Sequence, residues 1–195
     1  MRLFARRAGT VLLVLAALAL GRAVTSALPA GELAAEPFVR SGEVGTDIGL
    51  RYATVTAGAP EGSMVAEASG SLMATPGVWV LVPLTVVAQG EPRRLGYAAV
   101  VGSDGVTYAA NGMRSQLSLS RATPGIPHYG AVLVELPPEA AVGAHLRLAL
   151  DFWDQRADDL ADIDLGITAA DVERWQATSD PVTLPFASDT PPEAS

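Results

Sequence analysis

GVWVLVPLTVVAQ, from Gly77 to Gln89, is dense in β-branched and aromatic residues and has turn-forming residues on both sides. Alternate positions carry apolar side chains on both faces, so we expect both faces to be buried, as in the inner part of a β-sandwich. Valine disfavours helix and suits a pleated surface, and the stretch is therefore predicted to be a central strand. Pro83 has no N–H to donate to a neighbouring strand, and it predicts a bulge or an edge-facing position in mid-strand.

Shorter segments of the same character flank this strand, and no helical pattern separates them. Strands are predicted at Asp47–Ala57, Leu95–Val101, Val106–Ala109, Met113–Ser120, His128–Leu136 and His145–Phe152, with weaker patterns at Ile163–Ile167 and Pro181–Leu184. Asp104-Gly105 predicts a tight hairpin in which both central residues have positive φ. Strands at this spacing predict an all-β fold, an antiparallel β-sandwich that covers residues 45–186 together with a C-terminal extension.

The C-terminal extension differs in pattern from the strands before it. Asp151–Asp164 is acidic and is predicted to be irregular. Thr168–Asp171 resembles a capping box with Asp in place of Glu, and it predicts a short C-terminal helix with Val172 and Trp175 on one side. Residues 187–195 carry few apolar side chains, and we expect them to form a disordered tail.

Residues 1–28 have the composition of an export segment. Three arginines, at positions 2, 6 and 7, come before Ala8–Leu20, which is an unbroken apolar run. In this order the arginines stay in the cytoplasm while the chain after the run is exported. Residues 29–44 are predicted to be a linker between the export segment and the sandwich.

Two fates of the export segment stay open. Retention gives a single-pass anchor, a membrane helix within residues 8–28, with Arg22 reaching the outer interface. Cleavage after Ala27, at the end of a Thr-Ser-Ala site, gives a secreted protein. Arg22 lies unusually close to that cleavage site, which favours retention at the cell membrane. In both cases the functional part of the chain lies outside the cytoplasm.

Composition excludes several classes of function. The 195 residues include no cysteine, which excludes disulfides, thiolate metal sites, cysteine nucleophiles and a lipid-modified N-terminal cysteine. All 13 basic residues are arginine, and 4 of them lie in residues 1–28, which contain no acidic residue. The remaining 9 arginines stand against 21 acidic residues, a formal charge of −12. Such a surface repels nucleic acid and anionic lipid headgroups.

The two histidines, His128 and His145, both stand at the start of predicted strands. A Ser–His–Asp arrangement needs a serine on a positioned turn, and the sequence contains no G-x-S-x-G motif. We therefore expect surface or capping roles for both histidines rather than catalysis. The chain is predicted not to be an enzyme and to need no cofactor.

One cluster of side chains has the chemistry of a metal site. Six aspartates crowd the acidic stretch: Asp151, Asp154, Asp158, Asp159, Asp162 and Asp164. Calcium takes six to eight oxygen ligands from closely spaced carboxylates and carbonyls. This makes Asp151, Asp154, Asp162 and Asp164 calcium candidates, although their spacing matches no EF-hand. The alternative is a solvated acidic loop.

Aromatic and glycine patterns give weaker indications. Trp79, Trp153 and Trp175 are candidates for a sugar-stacking platform, but tryptophans in a small sandwich more often belong to the core. Gly42–Gly45 and Gly102–Gly105 are predicted to be turns, because neither precedes a helix that would cradle a phosphate.

The order of turns and core patterns resembles a known family. A tyrosine-bearing segment precedes the Val-rich strand opened by Gly77, followed by Asp104-Gly105 with Tyr108, a Pro124-Gly125 turn and Gly130-x-x-x-x-Glu135-x-Pro137. This order, from about Gly45 to Phe152, resembles the uncharacterised immunoglobulin-like domains that Gram-positive bacteria export, which are similar to a small secreted mycobacterial antigen. The resemblance implies an immunoglobulin-like β-sandwich and an extracytoplasmic role, and it brings no catalytic residues. The chain departs from many members in lacking the lipid-anchor cysteine, and in having Ala88-Gln89-Gly90 where an asparagine often ends the long strand.

These observations lead to one functional expectation with alternatives. We expect a non-catalytic, membrane-tethered β-sandwich that binds a protein partner at the cell envelope, through a sheet face, an edge strand or the C-terminal extension. The alternative is a module that binds a small ligand or a cell-wall polymer, with an exposed tryptophan as its anchor. An enzyme of unrecognised type is the third possibility.

Overall fold

This computed structural model describes residues 16–20, 22, 36–112, 114–156 and 158–192. The chain divides into two units, Met1–Glu36 and Pro37–Ser195. In the first unit, residues 16–20 and 22 are helical. None of the helices in the described ranges is long and apolar enough to cross a membrane. The rest of the predicted export segment, and residues 29–35 of the predicted linker, lie outside the described residues.

The second unit is built mostly from strands. These are β1 (Phe38–Glu43), β2 (Ile48–Gly49), β3 (Ala53–Ala57), β4 (Glu61–Ala68), β5 (Ser71–Ala88), β6 (Tyr97–Val101), β7 (Thr107–Ala109), β8 (Gln116–Ser118), β9 (His128–Leu136), β10 (His145–Ala149), β11 (Asp159–Asp164) and β12 (Val182–Thr183). The helices are α1 (Pro138–Ala141) and α2 (Ala169–Gln176).

The strands form two sheets, which confirms the predicted β-sandwich. Sheet A has the order β1-β11-β10-β6-β7. Sheet B has the order β12-β4-β5-β3-β2, with β9 on the other side of β5 and β8 beyond β9. Two pairings are parallel, β1 with β11 and β12 with β4, and the other strand pairs are antiparallel. The purely antiparallel pattern expected from the sequence therefore holds for all but these two pairs, which involve the first and last strands.

Strand β5 is the centre of sheet B, as predicted. Its valines on one face pack between the sheets, and Trp79 and Leu81 on the other face belong to a second buried cluster outside sheet B. Pro83 does not lie at a bulge, but one side of β5 is locally unpaired there, as the predicted edge-facing position requires. It sits where β3 has ended at Ala57 and β4 has not yet begun, and its carbonyl accepts a hydrogen bond from Gly58 N at 2.8 Å. Because N and C=O of one strand residue point the same way, the missing N–H faces this gap.

Three predicted boundaries need correction. Phe38–Glu43, assigned to a linker over residues 29–44, is strand β1 and pairs with β11. Asp159–Asp164, assigned to an irregular stretch, is strand β11, and it pairs on its other side with β10. Neither segment has the sequence pattern of a strand, because β1 is exposed without alternation and β11 is acidic. Both are strands because of the neighbouring strands to which they are hydrogen-bonded.

The third correction concerns the tail predicted as disordered. Ser188 exchanges both backbone hydrogen bonds with Tyr129 of β9, at 2.7 and 3.0 Å. The C-terminal segment, which pairs with β4 through β12, thus continues along sheet B to β9. Leu184 N also donates to the carbonyl of Glu67 at 2.8 Å. The C-terminal segment thus covers the outer face of sheet B as far as these contacts reach. Residues 193–195 of the predicted tail lie outside the described residues.

Local turn and cap chemistry was predicted with mixed success. The capping box is confirmed: Thr168 caps α2, the Asp171 carboxylate bonds back to Thr168 N at 2.9 Å, and Val172 and Trp175 are buried. The hairpin at Asp104-Gly105 is also present, but only Gly105 has positive φ, at 76°. Predicted strand Asp47–Ala57 is split into β2 and β3.

Candidate binding site

The outward face of sheet A carries an apolar row that ends in aromatic rings, of which Trp153 is exposed; within the row Ala149 and Leu160 are buried. Leu146 and Leu148 of β10 point into the core, so the alternate residues of β10 point outward. Strand pairing then aligns Val39, Leu160, Ala149 and Tyr97 across four strands. Together with Phe152 and Trp153 from the loop after β10, we call these six residues the sheet A patch.

Trp153 is the most exposed large apolar side chain in the described residues, at 89%. Its ring meets Phe152 edge to face, with 4.8 Å between centroids, and Phe152 in turn lies 6.4 Å from Tyr97. Burial raises the pKa of Tyr97, and the nearby Arg147 guanidinium opposes that shift. The rings thus form a chain from half-buried Tyr97 to fully presented Trp153.

The loop that presents Trp153 is fixed by its own hydrogen bonds. The carboxylate of Asp151 accepts from the backbone N–H of Trp153 at 2.7 Å and of Asp154 at 3.2 Å. The side-chain amide of Gln155 donates to the carbonyls of Asp151 and Phe152 at 2.9 and 2.8 Å. Side chains that satisfy turn backbone in this way restrict the loop, so the exposed ring is held in place at little further entropic cost on binding.

A charged row lies beside the apolar row on the same face. Asp162 accepts from Arg147 Nε at 3.0 Å and lies 3.0 Å from His145 Nδ1. The Asp162 side chain is only 14% exposed, whereas those of Arg147 and His145 are 41% and 47% exposed. The face therefore offers an aromatic edge bordered by an arginine and a histidine that both pair with Asp162.

The six aspartates singled out in the sequence are not brought together. Among the described residues, no group of three or more His, Asp or Glu side chains is placed to hold a metal ion. Of the calcium candidates, Asp151 holds the loop and Asp162 binds Arg147, while Asp164 accepts from Gly166 N at 2.8 Å. Hydrogen bonds from Arg156 lower the pKa of Asp154 to about 2, which reflects pairing with a cation instead of clustering with carboxylates.

The three tryptophans divide between core and surface. Trp79 is fully buried, donates from Nε1 to the carbonyl of Met73 at 2.9 Å, and has the guanidinium of Arg114 5.0 Å from its ring. Trp175 is 4% exposed and packs from α2 against Gly62 of β4. Only Trp153, of the three, is available to a ligand, so they form no shared platform.

The two histidines also differ. His145 is exposed at the start of β10, as expected, and pairs with Asp162. His128, at the start of β9, is 3% exposed, which corrects the expected surface role. Its Nε2 lies 2.9 Å from Ser120 Oγ and its Nδ1 lies 2.6 Å from Asp189 Oδ1. No sequence pattern indicated this trio, because Asp189 lies 61 residues from His128 in a segment predicted to be disordered.

Comparison with known proteins finds two solved structures that are similar to part of this chain. No family model and no curated protein matches the chain. An uncharacterized β-sandwich protein from Clostridium difficile 630 is similar over 65% of this chain and 95% of its own, at 14% identity and a TM-score of 0.41. The yjhA protein from Bacillus subtilis is similar over 63% of this chain and 99% of its own, at 11% identity and a TM-score of 0.45.

Proposed function

We propose that this chain is an exported, membrane-tethered, immunoglobulin-like module that binds a protein partner at the cell envelope through the sheet A patch. One observation carries the proposal: Trp153 is 89% exposed, yet it is held in a loop fixed by hydrogen bonds and backed by Phe152. A large apolar ring that is ordered and presented to water, without a role in the core, is typical of an interface anchor.

The composition of the patch favours a protein as the partner. Binding hot spots are enriched in Trp, Tyr and Arg, and they are surrounded by polar groups that become shielded from water. The patch provides Trp153 and Tyr97, and Arg147 borders it in a pair with Asp162. The formal charge of −12 on residues 29–195 disfavours nucleic acid and leaves a neutral or basic protein surface as the better match.

Site-specific photocrosslinking tests this proposal in the cells that make the protein. A photoreactive phenylalanine analogue placed at Trp153 is expected to capture one stoichiometric protein. The same analogue at Phe186, an equally exposed ring (87%) in the segment over sheet B, serves as the control and is expected to capture none. With the captured protein in hand, Trp153→Ala is expected to weaken binding by at least tenfold, as at a hot spot. Equal capture from both positions would contradict the proposed site.

Saccharide binding is the second candidate, and the presented face of Trp153 supports it. The exposed indole of Trp153 can stack on the face of a sugar ring. The neighbouring carboxylates of Asp151 and Asp154 can accept hydrogen bonds from the hydroxyl groups of that sugar. Soluble cell-wall fragments would then change the tryptophan fluorescence of the wild type and leave Trp153→Phe unchanged. Trp79 and Trp175 are buried, so a saccharide response must come from position 153.

The tether and its orientation are proposed on the basis of residues 1–28. Arginines at positions 2, 6 and 7 followed by the apolar run Ala8–Leu20 support export with the sandwich outside the cytoplasm. Mass spectrometry of the native N-terminus tests retention, since an anchored protein keeps peptides from residues 1–27, whereas cleavage near Ala27 removes them. Protease added to intact cells is expected to digest the sandwich in the anchored form.

A further inference from the structure

Three side chains meet where β9 begins. Ser120 follows β8, His128 begins β9, and Asp189 lies in the C-terminal segment that covers sheet B. His128 Nε2 is 2.9 Å from Ser120 Oγ, and His128 Nδ1 is 2.6 Å from Asp189 Oδ1. A nucleophile within hydrogen-bond reach of a base that a third group orients is the arrangement of an activated serine.

The geometry also fixes which ring nitrogen of His128 carries the proton. The backbone N–H of Ser120 donates to Nε2 at 3.2 Å, and a backbone N–H is always a donor. Nε2 must therefore present its lone pair, so the proton of the neutral ring is on Nδ1, where it faces the carboxylate of Asp189. This tautomer is the one in which imidazole can accept the proton of the Ser120 hydroxyl.

Accessibility fits the same division of roles. The His128 side chain is only 4% exposed. Water therefore has little access to the ring nitrogen that contacts Ser120. Ser120 itself is an exposed residue next to this buried ring. Asp189 is held in position because the preceding residue, Ser188, exchanges two backbone hydrogen bonds with Tyr129, the neighbour of His128.

We propose that Ser120 is a nucleophile for acyl transfer from small, unhindered carboxylic esters, with His128 as its general base and Asp189 as the residue that positions His128. Ser120 Oγ bonds to the ester carbonyl carbon as its proton passes to His128 Nε2. The carbon–oxygen bond to the alcohol then breaks, and the alcohol leaves with that proton. Water attacks the acyl-Ser120 ester by the same proton transfers, so one ester and one water give one acid and one alcohol.

The expected reaction is slow. In efficient serine hydrolases, backbone N–H groups stabilise the oxyanion, and loss of one such donor costs about 10²–10³ in rate. Here the N–H of Ser120 is committed to His128. The neighbouring Arg121 is exposed and offers a cation next to the nucleophile in sequence. Slow turnover makes covalent labelling of Ser120 a more sensitive measurement than product release.

The test treats the purified full-length chain with an alkyl fluorophosphonate, which phosphonylates activated serines. Intact mass should show one adduct per chain, and peptide mapping should place it on Ser120. Ser118 is the matched serine in the same sequence segment, and its hydroxyl donates to the carbonyl of Pro185 at 2.6 Å instead of to a histidine. Ser120→Ala is expected to abolish labelling, and Ser118→Ala to leave it unchanged.

Asp189→Asn tests the positioning role, and it is expected to slow labelling of Ser120 by at least tenfold while the thermal midpoint changes little. A second readout separates positioning from folding: the ¹⁵N chemical shifts of the His128 ring report which nitrogen is protonated. We expect a protonated Nδ1 in the wild type and loss of that tautomer's dominance in Asp189→Asn. Absence of a Ser120 adduct, equal labelling of Ser118, or wild-type labelling in folded Asp189→Asn would each overturn the proposal.

Discussion

At the scale of single residues, Trp175 occupies the space that a side chain at position 62 would need. A Cβ on Gly62 would overlap the Cδ2 and neighbouring atoms of the indole ring, which docks α2 onto β4. Indole is rigid, so relief requires α2 to shift. Glycine is therefore needed here for close approach, since its φ is not in the left-handed region.

We predict that Gly62→Ala lowers the free energy of unfolding by about 1–3 kcal/mol, the usual cost of overpacking a core. Gly49→Ala is the matched control, because Gly49 is also a strand glycine and a Cβ there meets nothing within 4 Å. Urea denaturation of both variants measures the difference. Equal stability of the two variants would mean that α2 is not packed against β4 as described.

Glu135 of β9 ties together three separate parts of the chain. Its carboxylate accepts from Arg114 Nε at 2.8 Å and from Thr75 Oγ1 at 2.5 Å, while Arg114 also donates to the carbonyl of Ala74. The hydrogen bond with Arg114 lowers the pKa of Glu135, and the bond from Thr75 adds to this, against the opposing effect of burial. The charged carboxylate is thus favoured by folding.

Because the pKa of Glu135 is lowered in the folded state, the stability of the protein depends on pH. The stability that Glu135 contributes is fully present above the pKa of an unfolded glutamate, about 4.3, and it is lost as the pH falls below that value. We predict that Glu135→Gln flattens the acid side of the stability curve and costs about 1 kcal/mol at pH 7. Glu91→Gln, which breaks an exposed pair with Arg93, is expected to cost less than about 0.5 kcal/mol at pH 7. An unchanged acid slope in Glu135→Gln would refute this role.

At the scale of elements, α2 is short and owes its start to local chemistry. The Thr168 side chain accepts from Asp171 N, and the Asp171 carboxylate accepts from the N–H and the hydroxyl of Thr168. The hydroxyl hydrogen bond from Thr168 lowers the pKa of Asp171 to about 2, with Arg174 as a further donor. Two N–H groups that a helix start leaves unpaired are satisfied in this way.

Thr168→Ala is expected to cost about 1 kcal/mol of stability, since it removes the cap, whereas Thr168→Ser keeps a capping hydroxyl and should cost only a few tenths. Chemical denaturation measures both. Because Trp175 lies in the last turn of α2, its fluorescence reports whether the helix undocks before the sandwich unfolds. Identical losses in the Ala and Ser variants would place the effect outside the cap.

The same elements show what a sequence can and cannot predict. The capping box, the Val-rich strand and the glycine of the Asp104-Gly105 turn are local, and local sequence predicted them. Strand β1 is stabilised by β11, about 120 positions further along, and no pattern in its own exposed residues records that pairing. The exposure of Trp153 and the His128–Asp189 contact likewise depend on tertiary placement, so composition alone could not identify either candidate site.

At the scale of the whole molecule, the two sheets are joined at one open side by a polar seam. Asp159 of β11 in sheet A accepts from Arg51 N at 2.7 Å, and its own carbonyl accepts from Tyr52 Oη at 2.7 Å. Arg51 and Tyr52 lie in the turn between β2 and β3 of sheet B. Arg40 of β1 lies 3.5 Å from the same carboxylate, so the first strand also joins the seam.

Tyr52 makes the seam sensitive to alkali. It is 4% exposed; burial raises its pKa well above the ordinary value, and the negative charge of Asp158 adds to the shift. A raised folded pKa means that this contribution to stability is intact below the pKa of an unfolded tyrosine, about 10, and declines as the pH rises above it. Above that pH, the folded state must either keep Tyr52 protonated or lose the hydrogen bond from Tyr52 to the carbonyl of Asp159.

We therefore predict that the wild type loses stability between about pH 9 and 11 more steeply than Tyr52→Phe, which has no phenol to ionise at the seam. At pH 7 the wild type is the more stable of the two proteins. Tyr52→Phe loses the hydrogen bond to the Asp159 carbonyl, which lowers its free energy of unfolding by about 0.5–1.5 kcal/mol. Tyr108→Phe, which removes an exposed hydroxyl bonded to Asp104, should stay within about 0.5 kcal/mol of wild type at pH 7. Denaturation curves across this pH range must converge for wild type and Tyr52→Phe; parallel curves would show that Tyr52 does not govern alkaline separation of the sheets.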